Sequence, residues 1–442
     1  MAPLKPSLKR MKYPPFEGGL RENAMTSATQ SDRDILLALF DAGLAAALPD
    51  GKFKDRLPAP PKGRTIVIGA GKASARMARA FEEEWGRPCE GLIVTRYGHG
   101  CETRHIEIVE ASHPVPDQAG LDAARRILEL AKGAGPDDLV VCLMSGGASS
   151  LLTMPAEGLT LADKQALNSA LLKSGAPIGV MNQVRKSLSA IKGGRLAAAI
   201  APARAVTYLI SDVPGDDPGT IGSGPTIPEA SDPQQVLGLM RQWGIEVTDK
   251  LEQVIRANTV PGDAIPGQEV HMIATPLMAL KAAEAKAREL GITPLILGDA
   301  IEGEAREAAI VFAGIANCAA SHGLPAAAPC VLLSGGETTV TVRGKGRGGR
   351  SVEFLLALAI ALKGRAGIAA VSCDTDGVDG TEDNAGAWFD SGILEEAAAR
   401  GLKPADFLAN NDGYSFFSAL DRLVITGPTL TNVNDFRAIL VR

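Results

Sequence analysis

The sequence carries several glycine-rich turns set directly after apolar runs, and these are the residues best suited to chemistry on an anion. Glycine supplies 49 of the 442 residues, about 11% against a usual ~7%. A glycine turn at the carboxyl end of a strand leaves backbone N–H groups able to meet a phosphate or a carboxylate. The first such turn is Gly69-Ala70-Gly71-Lys72-Ala73-Ser74. A GxxxxGK[ST] phosphate loop would need glycine where Ile66 stands and a hydroxyl residue where Ala73 stands. A dinucleotide fingerprint would need glycine at Ser74 and an acid ending the next strand, which ends instead in Thr95-Arg96. Arg96 leaves an NADP variant open. What remains is a lysine beside exposed amides at the start of a helix, where an ammonium is disfavoured unless an anion shares the place. Lys72 is therefore expected to meet a phosphate or a carboxylate.

Two further turns echo one another. Ser145-Gly146-Gly147 and Ser334-Gly335-Gly336 each follow an apolar run, the second continuing into Glu337. Both, with Gly69 and Gly71, are expected to cradle the phosphates of a nucleotide. The segment from Met181 to Ala197 places Arg185, Lys192 and Arg195 around a Gly-Gly break. Arg185 and Lys192 share a face if one helix spans both, and a small carboxylate substrate would need one such fork. Asp212 stands directly at the end of the run AVTYLIS, whereas Asp216 and Asp217 read as turn formers. In the second half, Gly344-Lys345-Gly346-Arg347-Gly348-Gly349-Arg350 spaces three cations with glycines ahead of an apolar helix, which suits a loop facing an anion. Asp374, Asp376 and Asp379 lie in another glycine loop. Its spacing is not that of a twelve-residue calcium loop, and a few carboxylates combined with nucleotide phosphates suit Mg²⁺ instead.

Rigid elements must hold these groups. Buried-strand patterns recur from Thr65, Leu92, Leu139, Ala205, Val270, Pro294, Cys330 and Ile368, separated by helix-length stretches rich in Ala, Leu and Arg. Apolar strands alternating with helices argue for an α/β protein whose sheets are largely parallel and covered on both faces. At 442 residues the chain exceeds what one core usually serves. Two domains are expected, with the active site in the cleft between them. The expected order is a disordered basic tail over 1–30, a Rossmann-like domain over 31–261 and a second α/β domain over 262–442. The first domain opens with a helix whose apolar face runs through Ile35, Leu36, Leu39 and Leu44. The division falls near Gly262, in the Pro- and Gly-rich stretch 257–268.

Composition narrows the function. A net charge of -6 and an aromatic content of 4% argue against nucleic acid as a partner. No apolar run approaches the length needed to cross a membrane. Six cysteines without a CxxC spacing read as free thiols in a reducing compartment, and the five histidines form no zinc pattern. The expectation is a cytoplasmic enzyme of small molecules, a monomer or homodimer, with neither nucleic acid nor a membrane as partner.

Taken in order, VIGAGKAS, SHPVPD, MSGGASSLL, NQVRKSLSAIKGGRLA, ISDVPGD with GSGPT, LLSGGETTVTVRGKGRGGR, DTDGVDG and TGPTLTNVNDF resemble the glycerate kinase family that carries the MOFRL domain. Some members of that family have been labelled hydroxypyruvate reductase. The resemblance covers nearly all of the chain after Ser31, with the MOFRL region at about 329–437. It implies phosphorylation of D-glycerate by ATP and Mg²⁺, generally to 2-phosphoglycerate, in a site between two α/β domains. It also implies that Lys72 is the reactive lysine and Arg350 the arginine of the glycine loop. On that reading the two cations neutralise the moving phosphoryl group and Asp212 accepts the hydroxyl proton. Arg185, Lys192 and Arg195 are the candidates for the acceptor's carboxylate, and Asp376 and Asp379 for Mg²⁺. In the family Arg350 is commonly followed by Asn and then Gln or Thr, where this chain has Ser351-Val352, and Ser187 stands where His is common. Both differences bear on acceptor choice. The main rival reading is NAD(P)H-dependent reduction of hydroxypyruvate. A non-enzymatic small-ligand sensor is the third class, and it would need a partner-binding module that the sequence does not reveal.

Overall fold

The computed structural model describes residues 31–259 and 269–442. The expected tail over 1–30 and the division near Gly262 lie outside the described residues. Helix α1 (Asp32–Ala47) comes first. One sheet is then built from β1 (Thr65–Ala70), β2 (Glu90–Arg96), β3 (Ile106–Ala111), β4 (Leu139–Met144), β5 (Arg204–Ile210) and β6 (Glu269–Ala274). Helices α2 (Ser74–Trp85) and α3 (Gln118–Lys132) follow β1 and β3. Four more, α4 (Ala148–Leu151), α5 (Leu161–Ser174), α6 (Ile178–Ser187) and α7 (Arg195–Ile200), lie between β4 and β5, and α8 (Pro233–Gln242) and α9 (Asp249–Ala257) precede β6.

The first sheet has the order β3-β2-β1-β4-β5-β6, and every pair in it is parallel. Its central strands β1 and β4 are buried along their whole length because both faces are covered. Ile66, Ile68 and Ala70 of β1 enter one core with Val140, Cys142 and Met144 of β4, while Val67 enters the opposite core with Val141 and Leu143. The period of two is present in the strand but sorts residues between two dry faces. The strand order reverses between β1 and β4. That junction is the place where open parallel sheets collect ligands, beyond the carboxyl ends of the strands.

The second sheet is assembled after α10 (Pro276–Glu289) from β7 (Thr293–Glu304), β8 (Cys330–Thr339), β9 (Ile368–Asp374), β10 (Gly386–Phe389), β11 (Leu423–Val424) and β12 (Asp435–Val441). Helices α11 (Ala305–His322) and α12 (Arg350–Leu362) link the first three of these strands, and α13 (Ile393–Ala399), α14 (Pro404–Ala409) and α15 (Gly413–Ala419) come after β10. Its order is β11-β10-β9-β12-β8-β7. The expectation of a largely parallel sheet fails here. Only β7 and β8 pair in parallel, and β12 runs antiparallel between β8 and β9. A strand buried on both faces shows the same unbroken apolar run in either direction, so composition could not distinguish the two arrangements.

Helix α1 precedes the first sheet in sequence but packs on the second. Leu36, Leu39 and Phe40 join Leu280, Val331, Leu333 and Phe436 in one core, and the rings of Phe40 and Phe436 lie 5.7 Å apart. Each such side chain, fully buried, contributes roughly 1.5–3 kcal/mol. Strand β6 lies beyond the expected division and still completes the first sheet. All six cysteines are unpaired. Among the described residues no helix is long and apolar enough to cross a membrane.

Candidate active site

At the switch point the turn after β4 is clasped to the start of α2. Ser145 Oγ accepts from Ala73 N at 3.0 Å and lies 3.2 Å from Ser74 Oγ. The amide of Lys72 donates to Gly146 O, and that of Gly71 to Val94 O. A β-carbon on Gly71 would stand 2.1 Å from Ser145 Oγ, and one on Gly69 2.0 Å from Leu143 O. Gly69 and Gly71 are therefore needed for close approach of backbones. The expected phosphate cradle at this first turn is not available, because the amides of Gly71, Lys72 and Ala73 are all used within the protein. Ser145 likewise works as a buried clasp. Among the described residues no protein acceptor meets the amides of Gly146 and Gly147, so the free donors belong to the second turn.

The clasp aims Lys72 at residues contributed by the second sheet. Its Nζ lies 2.6 Å from Asp376 Oδ2, and its side chain is 16% exposed. Burial disfavours the ammonium, but Asp376, Asp374 and Asp212 outweigh burial and hold its pKa above the ordinary lysine value. Asp376 N in turn donates to Asp374 Oδ1 at 3.1 Å. Asp374 Oδ2 receives Arg350 Nη2 at 2.8 Å, while Arg350 Nη1 reaches Glu337 at 2.8 Å and Nε reaches Asp435 at 2.5 Å. Arg350 is the first residue of α12. Burial opposes its charge, and Asp435, Asp374 and Glu337 reverse that effect and raise its pKa well above normal. Thus Lys72 and Arg350, one from each sheet, are tied to the same short acidic turn.

Asp212 lies beyond the end of β5, half-buried, against the Gly146 turn. Asn432 Nδ2 donates to its Oδ2 at 2.9 Å, and Asn434 Nδ2 donates to its backbone carbonyl. Burial pushes its carboxyl up to about 7, with Lys72 and Arg350 pulling the other way. A β-carbon on Gly146 would stand 1.7 Å from Asp212 Oδ2, so only glycine admits the carboxylate there. Asn432, Asn434 and Asp435 were not singled out from the sequence.

On the other side of the same turn opens a cavity of ≈ 520 Å³. A β-carbon on Gly147 would stand 3.2 Å from the His113 ring and 3.3 Å from Lys72 Cγ. Burial, then Lys72, Arg96 and His99, lower His113 to about 4, so it is neutral near pH 7. Arg185 and Lys192 both line this cavity. They do not share a helix, since α6 ends at Ser187. Arg185 Nε donates to Asn168 Oδ1 at 2.9 Å, and Lys192 Nζ donates to Ser149 O and Oγ at 2.5 and 2.9 Å. Arg195 does not line it. Its guanidinium donates to Asn258 Oδ1, Asn258 O and Lys192 O, which makes it a buried brace. Lys164 of α5 also lines the cavity and was not expected.

Three further expectations need correction. Ser334-Gly335-Gly336 is not a turn but the middle of β8, paired with Arg437, Phe436 and Asp435 of β12. Gly336 has φ 117°, and a β-carbon on it would stand 2.2 Å from Ile301 N, where the pairing with β7 shifts register. A Ser-Gly-Gly string offers the same backbone freedom to a bulged strand as to an anion loop. In the loop 344–350 the amides of Gly344, Lys345, Gly346 and Arg347 bond Asn410, Asn411 and Asp412, so its glycines serve packing and Arg350 alone of its cations enters the site. Asp379 accepts the amides of Ser351 and Val352 at 2.9 Å each, acting as a cap on α12. Burial raises its carboxyl to about 7 against those two amides.

Among the described residues no three His, Cys, Asp or Glu side chains are grouped to hold a metal unaided. The carboxylates of Asp212, Glu337, Asp374, Asp376 and Asp435 nevertheless outnumber the cations Lys72, Arg350 and Arg437 placed among them. Surplus oxygen donors of this kind suit a magnesium ion that takes most of its other ligands from phosphates and water.

Comparison with known proteins identifies the family. Residues 35–257 match a family profile described as a domain of unknown function, DUF4147, and residues 330–435 match the MOFRL family. The chain is 51% identical to an Agrobacterium vitis protein provisionally named hydroxypyruvate reductase, over 94% of this chain and 96% of that one. It is 39% identical to the D-glycerate 2-kinase of Thermotoga maritima, over 92% of this chain and 97% of that one. The crystal structure of the Thermotoga maritima glycerate kinase superposes with a TM-score of 0.86 at 39% identity, covering 92% of this chain and 99% of that one. With these matches across both sheets, the chain belongs to the glycerate kinase family that carries the MOFRL domain.

Proposed function

We propose that this protein transfers the terminal phosphoryl group of ATP to D-glycerate, giving 2-phosphoglycerate and ADP. The observation that carries the reading is the meeting of Lys72 and Arg350 on the Asp374–Asp376 turn, beside the free amides of Gly146 and Gly147. Transfer of a phosphoryl group asks a protein mainly for position and for charge at the equatorial oxygens. Lys72 and Arg350 supply that charge, and their carboxylate partners fix where it points. The acceptor's hydroxyl oxygen forms the new bond to phosphorus as the bond to the β-phosphate oxygen breaks. Asp212 receives the hydroxyl proton, and a carboxyl near 7 is well matched to that task. Arg185 is assigned to the acceptor's carboxylate, since Asn168 and Asn182 hold its guanidinium without neutralising it. Asp374 and Asp376 would hold Mg²⁺, which when bound neutralises phosphate charge.

Reduction of hydroxypyruvate finds less support, because the first turn has no free amide for a dinucleotide pyrophosphate. The test is one preparation assayed two ways. ADP is expected only when D-glycerate, ATP and a divalent metal are all present. Loss of hydroxypyruvate with NADH or NADPH, without ATP turnover, would overturn the proposal. The product's regiochemistry is read by NMR of the phosphoglycerate.

A further inference from the structure

Lys164, Arg185 and Lys192 line the ≈ 520 Å³ cavity behind Gly147, and among the described residues no aspartate or glutamate lines it. Arg185 and Lys192 are bonded to uncharged oxygens. Lys164 Nζ is buried and has no hydrogen-bond partner among the described residues. Like charges in a poorly solvated site repel, and an unpaired buried ammonium is among the costliest groups a fold can carry. An anion would complete the arrangement. Burial, followed by the charge of Arg185, lowers Lys164 to about 8, which fits a cation without a partner. Much of the remaining wall is apolar, through Val115, Pro116, Leu161, Leu167 and Leu172. Several hundred cubic ångströms with an apolar wall and a few convergent polar groups describe a site for a ligand with a ring system. A three-carbon acid would leave most of the cavity empty.

We propose that this cavity takes the nucleotide, with Lys164 and Lys192 as ligands of the triphosphate and the apolar wall as the seat of the base, and that Arg185 is left for the acceptor's carboxylate. This rests on the kinase reading. A phosphate tail running from Lys164 to Gly147 brings its terminal phosphoryl group to Lys72, whose Cγ lies against that glycine.

The test compares the parent chain with Lys164→Met, which keeps length and removes charge, and with Lys164→Arg. ADP affinity is measured by calorimetry, and KM is measured for ATP and D-glycerate. Loss of a charge-assisted contact is expected to weaken ADP binding and raise the KM for ATP roughly ten- to a hundredfold, with the KM for D-glycerate little changed and much of the loss restored by arginine. Without nucleotide the methionine variant is expected to melt above the parent, because an unpaired buried charge has gone, while ADP stabilises it less. A parent that turns over glycerate beside a methionine variant with unaltered ADP affinity overturns the inference and leaves the kinase reading standing. A change confined to the KM for D-glycerate overturns it too, by giving Lys164 to the acceptor. A parent that binds neither nucleotide sinks both.

Discussion

Gly146→Ala is the substitution whose effect the structure defines most closely. A β-carbon there would stand 1.7 Å from Asp212 Oδ2, 2.2 Å from its Cγ and 2.8 Å from Asn432 Nδ2. Gly146 is not among the glycines with positive φ, so the backbone admits alanine and the methyl alone acts. Non-bonded carbon and oxygen settle at about 3.5 Å, so the carboxylate must withdraw by roughly 1.5–2 Å and give up its bond from Asn432. Misplacing a catalytic group by ~1 Å costs on the order of 10²-fold, and kcat is expected to fall about 10²- to 10³-fold. Overpacking of this sort costs ~1–3 kcal/mol, so the fold survives. The assay is ADP release at saturating Mg·ATP and D-glycerate, run beside Asp212→Asn and the double variant. If the methyl acts through Asp212, the double variant is no slower than Asp212→Asn alone, because two changes that disable one group do not add. A kcat close to that of the parent, or a double variant slowed by the product of the two factors, refutes the assignment of Asp212.

Arg350→Lys keeps one charge but cannot reproduce the three bonds that Nε, Nη1 and Nη2 make; kcat should drop roughly 10²- to 10³-fold, and an unaffected kcat would remove Arg350 from the site. With a base near 7, kcat/KM should climb with pH through that region, and a pH profile of Asp212→Asn that keeps the same limb would assign it elsewhere. Lys72→Met leaves Asp376 unpaired, which costs ~3–5 kcal/mol when the carboxylates are ionised. It also removes the charge that restrains Asp212. Asp212 already binds its proton more tightly folded than unfolded, so falling pH favours the fold; the stability loss should be smaller at pH 6 than at pH 8, by up to ~1.4 kcal/mol per pH unit for each proton taken up. Equal losses in urea unfolding at both pH values would contradict the proposed coupling.

The site was legible where one residue's chemistry stood out against its neighbours. Lys72 and Arg350 are cations at glycine-flanked helix starts, and Asp212 is an acid at the end of an apolar run. Each of these local features survives folding unchanged. Asn432, Asn434 and Asp435 were not legible, because they reach the site only through the insertion of β12 between β8 and β9, which no local pattern records. Lys164 carries no local signal in the sequence, and only the fold shows that its ammonium is enclosed. Arg195 and Asp379 misled for the opposite reason. Their residue types suit ligands, but a buried backbone needs the same groups to satisfy Asn258 and the first amides of α12. The first sheet was readable because parallel strands with short helices leave few alternatives, whereas the second mixes directions that an apolar run cannot encode.

The placement of β12 sets the order of synthesis against the order in space. Helix α1 leaves the ribosome early, yet its apolar face waits for Leu280 and finally for Phe436. At ~5–20 residues per second, the roughly 400 residues between Phe40 and Phe436 take on the order of 20–80 s to make. The first sheet, complete at Ala274, can form during that interval. Strands β8 and β9 cannot pair with their shared neighbour until residues 435–441 exist. Nascent chains therefore carry a bare apolar helix for most of translation and, once β8 and β9 have been made, two open strand edges until β12 follows, the combination on which holding chaperones act.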